Sequence, residues 1–236
     1  MFGVMRMEKY LVLNGGRSTK GVMLKDDIVY RPHKETSTFA NSVLQFFERK
    51  NIPYAQRFLG VDDVGRDMFA YIRGYVPTEI GETTIEQLCK FMKIVRQLHD
   101  CSQDFTKNNH VVCHNDLSPC NTVFVDNKPI AIIDWDSASI GEQWEDLTYI
   151  IWLWVNIGSH KRNEIDILGQ MKTALSAYGA DRQTVSAFAD KLIWRMDKVL
   201  TEMSTDNYQY ERTKDWVAFS KQWVEEHREL ITMEIG

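Results

Sequence analysis

The sequence predicts an α+β fold, with a small antiparallel sheet first and a larger, mainly helical part after it. Two observations carry this expectation. Up to about residue 75 the chain is a succession of short β-prone runs divided by turn residues. After "GYVP" (74–77) apolar residues recur at helical spacing almost to the end. With 236 residues, 44% hydrophobic and 26% charged, the chain can build a sizeable core in one large domain or two small ones.

The elements follow in order. Strands are expected in KYLVLN (9–14), KGVMLK (20–25), DIVYRP (27–32), AQRFLGV (55–61) and DMFAYIR (67–73). The turns GGRST, KDD and VDDVGRD punctuate them. One helix interrupts the series, with Phe39, Val43 and Phe46 on one face, and it ends before Pro53. Thr83 with Glu86 reads as a capping box. It opens a helix whose stripe is Leu88, Phe91, Val95 and Leu98.

Four further faces follow: Trp144, Leu147, Ile151 and Trp154; Ile165, Leu168, Met171 and Leu175; Val185, Phe188, Leu192 and Val199; Trp216, Phe219, Trp223 and Leu230. The tryptophans could form a base-stacking surface, but helical spacing without basic neighbours favours core packing. The change in pattern divides the chain into a first lobe, residues 1–74, and a second, residues 75–236, with a hinge near Tyr71–Gly74. A cleft between two such lobes is a natural ligand site.

Several function classes recede on composition. The richest apolar run, YIIWLWV (149–155), is far too short to span a membrane. The N-terminus shows no apolar core followed by a small-residue cleavage site, so a cytoplasmic protein is expected. Cys89, Cys101, Cys113 and Cys120 have neither metal-site nor disulfide-frame spacing and are read as reduced, packed thiols. A formal charge of −5 and the lack of a basic run argue against nucleic acid as a partner.

The chemistry concentrates in "VVCHNDLSPCNTVFVDNKPIAIIDWDSAS" (111–139). His114, Asp116 and Asn121 sit in one loop, Asp116 five residues before Asn121, and Asp134 ends an apolar strand 18 residues after Asp116. Polar groups at the ends of buried strands cost free energy unless each finds a partner. A carboxylate that accepts a proton from an attacking hydroxyl, beside a carboxylate and an amide oxygen that hold Mg²⁺, would use this set. A hairpin turning at DNKP (126–129) would bring Asn121 and Asp134 together. The bland reading, loop-stabilising turns and caps, accounts for one or two of these residues but not for all in this order.

The pattern H-x-D-x-x-x-x-N followed by a metal-binding Asp matches the catalytic loop of kinases. "HNDLSPCN…IDWD…EDLTY" resembles the aminoglycoside phosphotransferase and choline kinase-like family, whose fold is protein-kinase-like, and the likeness covers roughly residues 10–155. "YAQRFLGVDDVGRDMFAYIRGYVP" (54–77) looks like a compact, trifolitoxin-immunity-like subgroup. The resemblance implies a two-lobe fold, with a small antiparallel β-sheet N-lobe and a mainly helical C-lobe. It also implies ATP (or GTP) and Mg²⁺ as cofactors and a small-molecule acceptor as partner. Carried over by position, Asp116 is the general base, Asn121 and Asp134 are the metal ligands, His114 orients the loop and Asp146 braces it. In the first lobe, "LNGGRSTKGV" (13–22) stands where the family covers the phosphates, which points to Gly15, Gly16 and Ser18. Arg31 takes the place of the phosphate-binding Lys, and the hinge backbone at Ile72 and Arg73 would meet the base.

One part of the pattern is missing. The helix Glu that partners this cation falls at Ala40, and Glu48 lies eight residues on, about 12 Å along a helix. Glu35, four residues after Arg31, is near enough in sequence to reach it. That departure keeps a second reading open, a kinase-shaped immunity or binding protein that sequesters a toxin or peptide. A glycoside hydrolase using Asp116 and Asp134 as paired carboxylates is remote.

Overall fold

The computed structural model describes residues 10–13, 21–107, 110–158 and 164–235; the GGRST turn with Gly15, Gly16 and Ser18 lies outside the described residues. Five strands form one antiparallel sheet in the order β1-β2-β3-β5-β4: β1 (Leu11–Val12), β2 (Met23–Lys25), β3 (Ile28–Pro32), β4 (Phe58–Val61) and β5 (Arg66–Ala70). Each strand is shorter than the run that suggested it. Asp26 and Asp27 take φ of 51° and 60°, the geometry of a two-residue hairpin turn, and set Lys25 opposite Ile28. In the next hairpin the Asp62 carboxylate accepts hydrogen bonds from the N–H groups of Val64 and Arg66. Helix α1 (Ser37–Arg49) packs Val43, Leu44 and Phe47 into the core beneath the sheet.

Helix α2 (Ile85–Thr106) opens one residue later than the sequence suggested. Its capping box is Thr84 with Gln87, while the Thr83 hydroxyl donates instead to the Trp154 carbonyl at 2.6 Å. The pattern T-T-x-E-Q satisfies either register, and the tertiary contact of Thr83 selects the second. The stripe Leu88, Phe91, Val95 and Leu98 is buried, and Phe91 stacks on Trp154 at 4.1 Å. Beyond it come β6 (Val111–Cys113), β7 (Thr122–Val125), β8 (Lys128–Ile132) and β9 (Ser139–Gly141). β7 and β8 form the expected hairpin, turned by Asp126 and Asn127 at positive φ. The pairing of β6 with β9 was not legible, because three residues on each side carry no periodicity.

The remaining elements are α3 (Gln143–Trp154), α4 (Glu164–Tyr178), α5 (Arg182–Val185), α6 (Phe188–Glu202), α7 (Tyr210–Glu226) and α8 (Arg228–Ile235). Three expected faces change. In α4, Ile165 is 77% exposed and the inner face is Ile167, Leu168, Met171 and Leu175. The face from Val185 to Val199 spans two helices, broken where Ala187 adopts φ 52°. The last face ends with α7 at His227, so Leu230 belongs to α8 and is exposed, while Val217, Ser220 and Val224 point inward. Trp152 and Trp154 are core residues; Trp216 stacks on Trp152 at 4.4 Å but also lines the cleft. The four cysteines form no disulfide among the described residues, and among these no helix is long and apolar enough to cross a membrane.

The sheet joins the helical part at two bridges, Ala55 with Ile132 and Tyr75 with Phe124. At the second, the N–H groups of Tyr75 and Phe124 each donate to the other's carbonyl, at 2.8 and 2.7 Å. Gly74 makes that approach possible, since a Cβ there would stand 2.5 Å from Val123 Cγ1 and 2.6 Å from the Phe124 carbonyl oxygen. Gly74→Ala is expected to cost about 1–3 kcal/mol in urea denaturation, as overpacking against backbone does. Gly81→Ala, with open space at its Cβ, should stay within about 0.5 kcal/mol and serves as the control.

Candidate active site

The loop after β6 turns on a residue that favours the turn. Asn115 adopts φ 65°, a left-handed conformation that asparagine tolerates better than most side chains. Its position is over-determined. Asp146, wholly buried on α3, accepts from the N–H of His114 at 2.9 Å and of Asn115 at 2.8 Å. His99 on α2 adds a third bond to the same carboxylate at 3.1 Å. From α6, Arg195 donates to the Asn115 side-chain oxygen at 3.1 Å and to its backbone carbonyl. Burial alone would raise the Asp146 pKa, but the hydrogen bond and charge of His99, with the His114 N–H, outweigh it and hold the carboxylate below its usual range.

His114 locks the next link. Its Nδ1 accepts from the Asp116 N–H at 3.2 Å, which leaves the proton on Nε2 to donate to the Ile133 carbonyl at 3.1 Å. The ring thus ties the loop to the end of β8, one residue before Asp134. Ile133 N–H in turn donates to the Asn121 carbonyl at 2.9 Å. Asn121 and Asp134, 13 residues apart, are brought to the same end of the hairpin by strand pairing.

Asp116 lies on the floor of a cleft of about 540 Å³ together with Asn121, Asp134 and Arg31. Its Oδ1 accepts from the Tyr149 hydroxyl at 2.8 Å and its Oδ2 from Asn121 Nδ2 at 2.7 Å. Burial raises the Asp116 pKa above the ordinary carboxylate range, and these two donors work against that rise. Burial and the neighbouring Asp116 push the Tyr149 pKa well up, so its hydroxyl keeps the proton it donates. Neither Tyr149 nor Arg195, whose guanidinium lies 4.6 Å over the Tyr149 ring, emerged from the sequence. Tyr149 stands one helical turn after Asp146 in "EDLTY", so its facing the same loop was the available signal.

The donor set suits a hard cation. Asn121 commits its amide nitrogen to Asp116, leaving Oδ1 as its free oxygen, and Asp134 contributes a carboxylate at φ 62°. Among the described residues there is no group of three or more His, Cys, Asp or Glu poised for a metal. Mg²⁺ sites that share their ion with nucleotide phosphates use only one or two protein ligands. The two oxygens therefore fit Mg²⁺.

Arg31 differs from its expected arrangement. Its carboxylate partners are Asp134, at 3.2 Å, and Asp136, which also takes Lys34 at 2.7 Å. Glu35 is exposed, and Glu48 is held by Arg57 at 2.5 Å. Proximity in sequence pointed to Glu35, but the chain's path through β3 sets Arg31 inward and Glu35 outward. At the hinge, Ile72 lines the cleft, whereas the Arg73 side chain is exposed and pairs with Asp27 at 2.9 Å, which leaves Arg73 only its backbone for a ligand.

Asp146 sets a sharp expectation. A carboxylate with a depressed folded-state pKa stabilises the protein above its unfolded value and loses that contribution as pH falls through the folded one. Asp146→Asn turns an amide N–H toward backbone N–H groups and should cost about 2–4 kcal/mol at neutral pH. Denaturation series at several pH values should show the gap between wild type and variant shrinking below about pH 4. A gap that does not change with pH would mean that the charge on Asp146 contributes nothing.

Residues 73–188 match the model of the phosphotransferase enzyme family. In three dimensions the chain is similar to a microcompartment-associated aminopropanol kinase, at 11% identity and a TM-score of 0.64, covering 97% of this chain and 94% of that one. It is likewise similar to the choline kinase of Cryptosporidium parvum, at 11% identity and a TM-score of 0.63, covering 96% and 91%. The gentamicin complex of APH(2″)-IIa gives 13% identity, a TM-score of 0.56 and coverage of 98% and 95%. No curated protein matches the chain in sequence. At such identities the likeness speaks to the α+β, protein-kinase-like fold. The matched segment holds the Asp116 loop, the β7–β8 hairpin and Asp146, and over it the chain is similar to the phosphotransferase enzyme family.

Proposed function

We propose that this protein transfers the γ-phosphoryl group of ATP or GTP, bound with Mg²⁺, to a hydroxyl of a small molecule. The observation that carries the reading is the convergence of Asp116, Asn121 and Asp134 on one cleft between sheet and helices. The first lobe, residues 1–74, covers the nucleotide, and the second, residues 75–236, supplies the loop and the acceptor side. Asp116 aligns the acceptor hydroxyl and takes its proton as that oxygen bonds to the γ-phosphorus and the bond to the β-phosphate oxygen breaks. Tyr149 and Asn121 hold the carboxylate so that it meets the hydroxyl without reorganising. Mg²⁺ at Asn121 Oδ1 and Asp134 would neutralise charge on the transferring phosphates. Arg31 adds a second cation on the sheet side.

The acceptor half of the cleft is lined by Tyr149, Trp152, Leu153, Val199, Met203 and Trp216. Among the described lining residues, Asp116 and Asp134 are the only carboxylates, and both have assignments. This favours an acceptor with an apolar or aromatic flank and few positive charges over a polycation such as gentamicin.

The immunity or binding reading gains from Ala40 and from the hold of Arg31 on Asp134. Variants separate the two. Mg²⁺ with ATP should raise the melting temperature, by the equivalent of about 2.7 kcal/mol at a hundredfold excess over Kd, and EDTA should remove most of the shift. Asp134→Asn should lose the metal-dependent part. Asp116→Asn should leave Mg-ATP affinity within a few-fold but lower turnover by about 10²–10⁴, assayed on whichever acceptor a nucleotide-consumption screen returns. Full biological activity in Asp116→Asn would sink the phosphotransferase reading and leave the binding protein.

A further inference from the structure

Arg31 on β3 and Asp67 on β5 are directly opposed in the antiparallel register. Burial alternates along both strands, with Val29 and Arg31 inward on one and Asp67 and Phe69 inward on the other. The two side chains therefore share a face, with Cβ atoms about 4.5–5.5 Å apart. Both are nearly inaccessible, Arg31 at 7% and Asp67 at 1%.

The bonding of Asp67 uses only one of its oxygens. Oδ1 accepts from Asn41 Nδ2 at 2.9 Å and lies 2.9 Å from His33 Nδ1. Oδ2 is buried with no hydrogen-bond partner, and so is Arg31 Nε. An acceptor and a donor thus lie orphaned on facing residues, each left with its full desolvation penalty. A role confined to fixing α1 against β5 would need Oδ1 alone, and an amide or hydroxyl would supply it.

We propose that Asp67 is the positioning carboxylate of Arg31, in place of the helix glutamate that Ala40 lacks. The inference rests on the phosphotransferase reading. A metal on Asp134 would compete with Arg31 for the carboxylate oxygen that now accepts from it. When Asp134 turns to the metal, Nη1 of Arg31 is released toward the phosphates while Asp136 keeps Nη2, and Nε closes onto Asp67 Oδ2. Helix α1 still contributes, one residue from Ala40, through the Asn41 amide that fixes the carboxylate's plane. The aim of the cation is set by the neighbouring strand and not by the helix.

A double-mutant cycle tests this, with Mg-ATP affinity read by calorimetry on wild type, Asp67→Asn, Arg31→Ala and the double variant. Asp67→Asn keeps an oxygen for Asn41 but turns an N–H toward Arg31 Nε. It should weaken Mg-ATP binding about tenfold or more when Arg31 is present. In the Arg31→Ala background the same change should shift affinity less than about twofold. Equal losses in the two backgrounds would reduce Asp67 to a support of the strand, and unchanged affinity beside Arg31 would overturn the inference outright. If Asp67→Asn does not fold, Asp67→Ser, which keeps an oxygen for Asn41, goes through the same cycle. Wild type that binds no Mg-nucleotide would be seen before any variant is made, and it would sink the functional reading together with this inference.

Discussion

The Asp146 carboxylate is the constraint on which the site depends. Two consecutive backbone N–H groups, of His114 and Asn115, would otherwise be buried at a turn that no strand or helix completes. Answering both with one side chain requires a carboxylate, and keeping it ionised at full burial requires His99. His99 is oriented in its turn by the Tyr178 hydroxyl at 2.8 Å. Three helices, α2, α3 and α4, thereby converge on one oxygen pair, and the loop's left-handed residue is set by packing far from the cleft.

From that anchor the order of the candidate catalytic groups follows by local geometry. His114 passes the constraint to β8 and to Asp116, the hairpin returns Asp134 to Asn121, and Asn121 and Tyr149 fix Asp116. Rotation of a single side chain therefore displaces several others. Such a chain suits phosphoryl transfer, where catalysis consists of positioning and charge compensation without a covalent enzyme intermediate. Arg195 closes the chain from the far side, holding Asn115 and lying over Tyr149.

The sequence disclosed what is local and periodic. The loop residues, the hairpin at Asp126–Asn127 and the inner face of α2 were readable because each is decided within a few positions. Long-range choices stayed hidden. Thr83 and Thr84 are equivalent as caps until Trp154 claims the Thr83 hydroxyl. The break at Ala187 depends on how α5 and α6 pack, and nothing in VSAF announces it. The partner of Arg31 was sought along the chain, at Glu35 and Glu48, whereas its neighbours come from β5 and from residues 103 and 105 positions away. Helical periodicity also misassigned Ile165, because a stripe read from four residues fixes a face only to within a residue or so.

The grip of Arg31 and Lys34 on Asp134 and Asp136 has a consequence for folding. Two carboxylates two residues apart would repel each other if nothing neutralised them. Here the counter-ions are covalently part of the same chain, supplied by β3 and the residues just after it. Assembly of this corner therefore needs no divalent ion, in contrast to small metal-dependent domains whose folding and loading are one event. A chelator would leave this architecture standing.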